Sequence, residues 1–413
     1  MDDYAAAVLE CLRHREDELS EFTRSLVAIP SVNPPGDERA VAEAVVRRLH
    51  ELGLPDVQVK AKVPERPNVF CRLRGMGEGP ALMLSGHLDT KPVGDRSKWT
   101  TDPLKPEIID GKLYGLGVGD MKAAVAAMVY AAAALQATGA PLTGDLLLAF
   151  TADEEAGSAF GADYLVEERL VQADAAMLGE PCGIHREWEY LCLLSRGNCC
   201  FRVKVWGTQM HSSISDILPS VNASVKMAHV LERMQRDLPA RIRYTPHPLC
   251  PQGITLNVGV MVSGGVFFGV YPGYAEFACD LRTLPGMTQQ SVREDIEAFL
   301  DELRREDPEL KVELAFEPLP LGWIEPSEMP VNHPLTAALQ WAAAQVFGAC
   351  PPLGCIPGTT DSPKFQFGLG IPTIPAFGPG RLPLAHSPNE YIDINSPFQA
   401  AQVYALCALR YLQ

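Results

Sequence analysis

The chain has 413 residues, 47% hydrophobic and 21% charged, which is enough apolar material for more than one core and unlike a disordered polymer. Its formal charge of −16, with no basic cluster, argues against sequence-independent binding to nucleic acid, which needs a basic face to neutralise phosphates. The acidic start, Met1-Asp-Asp-Tyr-Ala, lacks the apolar core of a signal peptide, and the longest apolar run, 123–135, is shorter than the about 20 residues of a membrane span. A cytoplasmic protein with no membrane partner is expected. Eleven cysteines without regular spacing read as reduced thiols, since neither Cys199-Cys200 nor Cys350 with Cys355 has zinc-knuckle geometry.

In chain order, helical spacing predicts helices over 5–27 and 38–52, flanking the loop Ile29-Pro-Ser-Val-Asn-Pro-Pro-Gly36. Strands are expected at 68–74 and 81–85, followed by the glycine-rich loop Tyr114-Gly-Leu-Gly-Val-Gly-Asp120 and an alanine-rich helix over 121–135. A buried strand at 145–151, a helix near 159–168 and a strand at 173–178 continue the alternation. That order implies a mainly parallel sheet with helices on both faces. From about Leu193 the style changes to strand 201–206, helix 219–236, strands 255–262 and 275–282, helix 291–305 and strand 311–316. This β-α-β-β-α-β order is the split motif of a ferredoxin-like α+β sandwich. A helix at 335–346, a short strand at 372–377 and a helix from Pro397 return to the first style. The expected organisation is therefore an α/β domain from 1–192 and 318–413, interrupted by an inserted domain at 193–317.

Five acidic or histidine elements recur along this frame. Ser85-Gly-His-Leu-Asp-Thr90 sets His87 and Asp89 two apart on an extended segment, so they lean the same way, as a metal-binding imidazole and its orienting carboxylate require. Asp120, Glu154-Glu155, Glu180 and His386 follow. Except for His386, each comes directly after an expected strand end or a glycine-rich turn, and ligands of open α/β sheets collect at the carboxyl ends of strands. His87, Asp120, Glu155, Glu180 and His386 supply imidazole and carboxylate, the ligands of Zn²⁺ and similar ions. Neighbouring Glu154 and Glu155 point different ways, so one is expected to bind metal and the other to move protons. Each piece alone also fits a plainer reading: a structural hydrogen-bonded pair for His87 and Asp89, a solvated loop for Glu154-Glu155, a turn residue for Glu180, a surface histidine for His386.

The joint order of these motifs resembles the M20 family of metallopeptidases and deacylases. The resemblance is carried by Ser85-Gly-His-Leu-Asp-Thr90, Asp110-Gly-Lys-Leu-Tyr-Gly-Leu-Gly-Val-Gly-Asp-Met-Lys122, Asp153-Glu-Glu-Ala-Gly-Ser158, Gly179-Glu-Pro181, Met210-His-Ser-Ser213 and Ala385-His-Ser-Pro-Asn-Glu-Tyr391. It implies two divalent metal ions, Zn²⁺ foremost with Mn²⁺ and Co²⁺ as alternatives. His87 and Glu180 would complete one site and Glu155 and His386 the other, with Asp120 bridging. Glu154 would be the base and Asp89 the partner of His87. The resemblance also makes the inserted domain a lid that dimerises, with His211 reaching the partner subunit's active site as an oxyanion donor. Arg196, Arg282, Gly358 and Thr359 match positions that hold a substrate carboxylate in some relatives; a structural ion pair is the other reading of the arginines. Two departures stand out, Gly269 where relatives carry Asn and Leu116 where they often carry Arg, beside the aromatic residues Phe267, Phe268 and Tyr271.

The expected activity is hydrolysis of a C–N amide bond in an N-acyl amino acid or a related small carboxylate-bearing molecule, by a homodimer or higher homo-oligomer. The altered aromatic loop suggests as alternative the hydrolytic deamination of an aromatic aminocarboxylate on the same centre. A noncatalytic metal- or ligand-binding relative is the third reading, and for it the loss of a ligand or of Glu154 would be expected.

Overall fold

Three apolar runs, Leu82–His87, Leu146–Thr151 and Ala175–Leu178, are buried along their whole length, as strands covered on both faces must be. In the computed structural model, which describes residues 2–413, they lie side by side and parallel in a six-stranded sheet. The sheet order is Val57–Ala61, Pro67–Leu73, Leu146–Thr151, Leu82–His87, Ala175–Leu178, Thr373–Ile374, and only Pro67–Leu73 runs against the rest. Met1, the first residue of the acidic start, lies outside the described residues.

Two compact units divide the chain. The first holds the residues up to Ser195 with Ser327–Ile356 and Thr360–Gln413, and the second holds Arg196–Pro326 with Pro357–Thr359. The second unit runs past the expected boundary of 317, because the chain after Phe316 turns back along its own sheet: Cys200 N–H donates to the Leu321 carbonyl at 3.0 Å and Asn198 N–H to the Ile324 carbonyl at 3.0 Å.

In the first unit the alanine-rich helix Ala123–Ala137 is buried from Ala123 to Leu135 and packs against the terminal helix Ser396–Tyr411, which also packs against Pro334–Phe347. Small side chains let such helices approach closely. With the preceding turn, residues Val118–Ala137 are long and apolar enough by length and composition to cross a membrane, yet residues 118–135 are wholly buried within the fold. The helix expected over 5–27 is two helices, Asp2–Arg13 and Glu16–Ala28, because Arg15 leaves helical geometry at φ −117. The edge strand Val57–Ala61 was not among the expected strands, and it is intermediate or exposed throughout.

The second unit is a four-stranded antiparallel sheet in the order Thr255–Gly264, Tyr274–Thr283, Gly197–Trp206, Lys311–Phe316, with helices Ala223–Asp237 and Gln289–Glu306. Numbered by sequence this is the 2-3-1-4 order of a ferredoxin-like sandwich. Gly197–Trp206 alternates buried and half-buried residues, as a sheet with one covered face requires. Helix Gln289–Glu306 buries Val292, Ile296, Phe299, Leu300 and Leu303 at helical spacing, and Thr288 with Ser291 closes a capping box at its start.

Candidate metal centre and active site

Strand register brings the acidic motifs together. His87 ends its strand opposite Thr151, and Ser85 sits opposite Leu178. Glu154 and Glu155 therefore leave the sheet on one side of His87, and Glu180 leaves it on the other, all at the carboxyl edge. Asp120 arrives from the turn Val118–Lys122 and His386 from a loop of the same unit, so residues about 300 apart in sequence converge.

Two groups of ligand atoms result, His87–Asp120–Glu180 and Asp120–Glu155–His386, each with its members' ligand atoms within 4.8 Å of one another. Asp120 belongs to both: its Oδ1 is 2.9 Å from His87 Nε2 and its Oδ2 is 3.1 Å from His386 Nε2. Glu180 Oε1 lies 3.8 Å from His87 Nε2, and Glu155 Oε2 lies 3.0 Å from His386 Nε2.

The electrostatics fit bound cations. Burial, and then the Asp120 charge, push Glu180 well above the usual carboxylate range; burial, and then Glu180, do the same to Glu154. Burial would lower both histidines. The facing carboxylates outweigh it, holding His87 well above its usual range and His386 at about 10. Buried carboxylates crowded around two imidazoles form a donor set suited to divalent ions.

Asp89 holds this arrangement from behind. Its carboxylate is 3.5 Å from His87 Nδ1 and accepts from Glu154 N–H at 3.2 Å, Glu155 N–H at 3.1 Å and Asn33 Nδ2 at 2.8 Å. Asn33 also donates to Asp153 at 2.9 Å, and Asp153 is held by Arg66 at 2.7 Å, which in turn pairs with the buried Glu38. On the far side Glu390 accepts from the backbone N–H groups of Gly117, Gly119 and Asp120 at 2.9, 2.8 and 3.2 Å, fixing the loop that delivers Asp120. Asp361 accepts from Ser158 Oγ, and burial pushes it up to about 6. Asn33, Arg66, Glu390, Asp361 and Lys91, which touches Glu155, were absent from the sequence-based site. Glu390, Asp361 and Lys91 lie in or beside the motifs Ala385–Tyr391, Gly358-Thr359 and Ser85–Thr90, whereas Asn33 and Arg66 lie in none of them.

In the second unit Arg282 donates to Thr359 Oγ1 at 3.3 Å and to Asp280 at 2.9 Å, so Arg282 and the Gly358-Thr359 segment share one neighbourhood. Arg196 is buried and donates to Cys250 Sγ at 3.3 Å and Thr255 Oγ1 at 2.9 Å. His211 is exposed and its Nδ1 accepts from Ser213 N–H at 3.2 Å, leaving Nε2 to carry the ring proton. Gly269 sits at φ +82, a left-handed geometry that Asn also tolerates, and its carbonyl accepts from Ser212 N–H at 2.9 Å. Leu116 is a buried core residue. Phe267 and Phe268 stand 77% and 94% exposed, so packing does not explain them.

An α/β sheet whose strand ends carry two ligand groups sharing one carboxylate defines a divalent-metal hydrolase. The family model for peptidase family M20/M25/M40 matches residues 83–410. An acetylornithine deacetylase of Proteus mirabilis (strain HI4320) is 30% identical over 386 residues, covering 91% of this chain and 92% of that one. Among solved structures, an M20 family metallo-carboxypeptidase from Sulfolobus solfataricus superposes with TM-score 0.74 at 20% identity, covering 95% of this chain and 98% of that one. An aminopeptidase from Bacillus cereus gives TM-score 0.75 at 18% identity, with 96% and 99% covered. The chain belongs to peptidase family M20/M25/M40, and it is a hydrolytic enzyme acting on amide bonds.

Proposed function

We propose that the enzyme cleaves the amide of an N-acyl amino acid, or of a related carboxylate-bearing compound, at a centre of two divalent ions. The observation that carries this reading is the Asp120 carboxylate, one oxygen against His87 and the other against His386. His87 and Glu180 would complete one site, and Glu155 and His386 the other. Imidazole with carboxylate suits Zn²⁺ first, and Mn²⁺ or Co²⁺ with the same donors. Ions held there would polarise the scissile carbonyl and lower the pKa of water.

The chain's own residues then divide the remaining work. Glu154, held well above the usual carboxylate range by burial and then by Glu180, takes a proton from the attacking water and returns it to the leaving nitrogen. Asp89 fixes the ring of His87 and the backbone of Glu154 and Glu155 together. His211, with its proton on Nε2, donates to the carbonyl oxygen as negative charge develops there, supplied by the partner subunit of a homodimer. Arg282 with Gly358-Thr359 takes the substrate carboxylate. For Arg196, its bonds to Cys250 and Thr255 support a role in shaping that neighbourhood. Similarity to an acetylornithine deacetylase supports an acyl amino acid as substrate.

The homodimer is supported by the outermost strand of the second unit, Thr255–Gly264, whose Val260, Met261 and Val262 are 51 to 57% exposed on an edge with one free side. Eleven free thiols support a reducing, cytoplasmic setting.

Turnover of the metal-reconstituted protein on N-acyl amino acids, dipeptides and aminobenzoates, followed by mass spectrometry, tests the substrate class. Cleavage of one acyl series is expected. Ammonia released from an aminobenzoate, with the amides untouched, would transfer the centre to deamination and give the exposed Phe267 and Phe268 a substrate to meet. Bound metal without turnover on any member would leave a binding protein.

A further inference from the structure

The two ligand groups are not alike, and the difference lies in Lys91. Within His87–Asp120–Glu180 all three residues are buried, and the positive group facing Glu180 is His87, 3.8 Å away. In Asp120–Glu155–His386 the histidine side chain is 45% exposed, and the Glu155 carboxylate is already engaged at both oxygens. Lys91 N–H donates to Glu155 Oε1 at 3.2 Å, Lys91 Nζ lies 3.2 Å from Glu155 Oε2, and the same Nζ donates to the Glu155 carbonyl oxygen. A single lysine thus grips one ligand from its backbone and its side chain. It stands two residues past Asp89, at the end of the segment that carries His87.

We infer that Lys91 sets the affinity of the second, more exposed metal site by placing a fixed positive charge against Glu155. The inference rests on the two-metal reading above and concerns how unequally the two sites fill. An ammonium this close to a ligand oxygen repels an incoming divalent ion and withdraws carboxylate charge from it. Among the described residues, no lysine pairs with Glu180 in this way, so the His87–Asp120–Glu180 site fills first. The second ion is held loosely enough for its occupancy to follow the free metal concentration.

Chelator-treated wild type, Lys91→Met and Lys91→Arg are titrated with Zn²⁺ by isothermal calorimetry, and the event lost in His386→Ala identifies the second site. The lysine side chain is 35% exposed, so its substitution should leave folding intact, and matching thermal midpoints of the metal-free proteins confirm it. In Lys91→Met the second event is expected to tighten by about tenfold, the size of effect a partly solvent-screened charge exerts. The first event should stay within about a factor of two, and Lys91→Arg should keep the wild-type difference. Raised salt should narrow the gap in wild type and leave Lys91→Met unchanged.

Equal movement of both events, no movement, or a loosened second event in Lys91→Met would overturn the inference. The last result would make Lys91 a strut that orders Glu155. These outcomes leave the two-metal reading standing, because both events are still seen. Failure of wild type to take up two ions would instead remove that reading and the inference with it.

Discussion

Asp89 binds no metal in this account, yet four other groups depend on it: the imidazole of His87, the amide of Asn33 and the N–H groups of Glu154 and Glu155. In Asp89→Asn one acceptor oxygen becomes a donor facing other donors, so the loop carrying both glutamates loosens along with the histidine. Metal affinity is expected to fall by about 10- to 100-fold, as for other partners that orient ligands, and competition against a chromophoric chelator measures it. The histidines also fix a sign. Without metal, His386 is held protonated up to about 10, so that pairing supports the fold below the usual histidine range and is lost as pH rises through about 10. Metal must displace those protons. Uptake should therefore tighten from pH 6 to pH 8 and release protons, seen as a buffer-dependent calorimetric enthalpy; uptake independent of pH would contradict the charge state described. The ligands were legible in the sequence because each sits in a short motif at a strand end. Asn33, Arg66 and Lys91 were not, because their roles exist only through distant partners such as Asp153 and Glu155.

At the scale of elements, three parallel strands and one buried helix place the ligands. Gly179, just before Glu180, lies against helix Ala123–Ala137: a Cβ there would come within 2.6 Å of Ala124 Cβ and 2.7 Å of Met121 Cε. Gly179→Ala should cost about 1–3 kcal/mol of stability through overpacking, read from denaturant unfolding, and it should displace Glu180. An unchanged midpoint would show that the helix yields more easily than its packing implies. The alternation of strands and helices was readable because central strands are continuously apolar and Ala123–Ala137 is dense in small residues. Val57–Ala61 escaped because an exposed edge strand carries little hydrophobic signal, and Leu353–Ile356 because it sits within a run rich in glycine and proline. The break between Asp2–Arg13 and Glu16–Ala28 has no proline or glycine to announce it.

For the whole molecule, the inserted four-stranded sheet followed from its β-α-β-β-α-β order, whereas its end did not: residues 317–326 show no strand pattern, and they join the unit through two backbone hydrogen bonds each with Asn198 and Cys200. The proposed homodimer belongs to this scale. Met261, 54% exposed on the edge strand, should tolerate Lys in the isolated fold and oppose pairing of two copies. Sedimentation velocity is expected to show a dimer for wild type and a monomer for Met261→Lys, with lost turnover if His211 acts across the interface. A wild-type monomer that turns over would return His211 to the surface of its own chain.

The most direct test of the central claim compares metal-loaded wild type and Glu154→Gln on N-acetyl amino acids, with bound metal measured in the same samples. Amide cleavage by wild type is expected, with a loss of about 10²- to 10⁴-fold in kcat for Glu154→Gln and equal metal content in both. Normal turnover by Glu154→Gln, or no cleavage by wild type holding two ions, would contradict it.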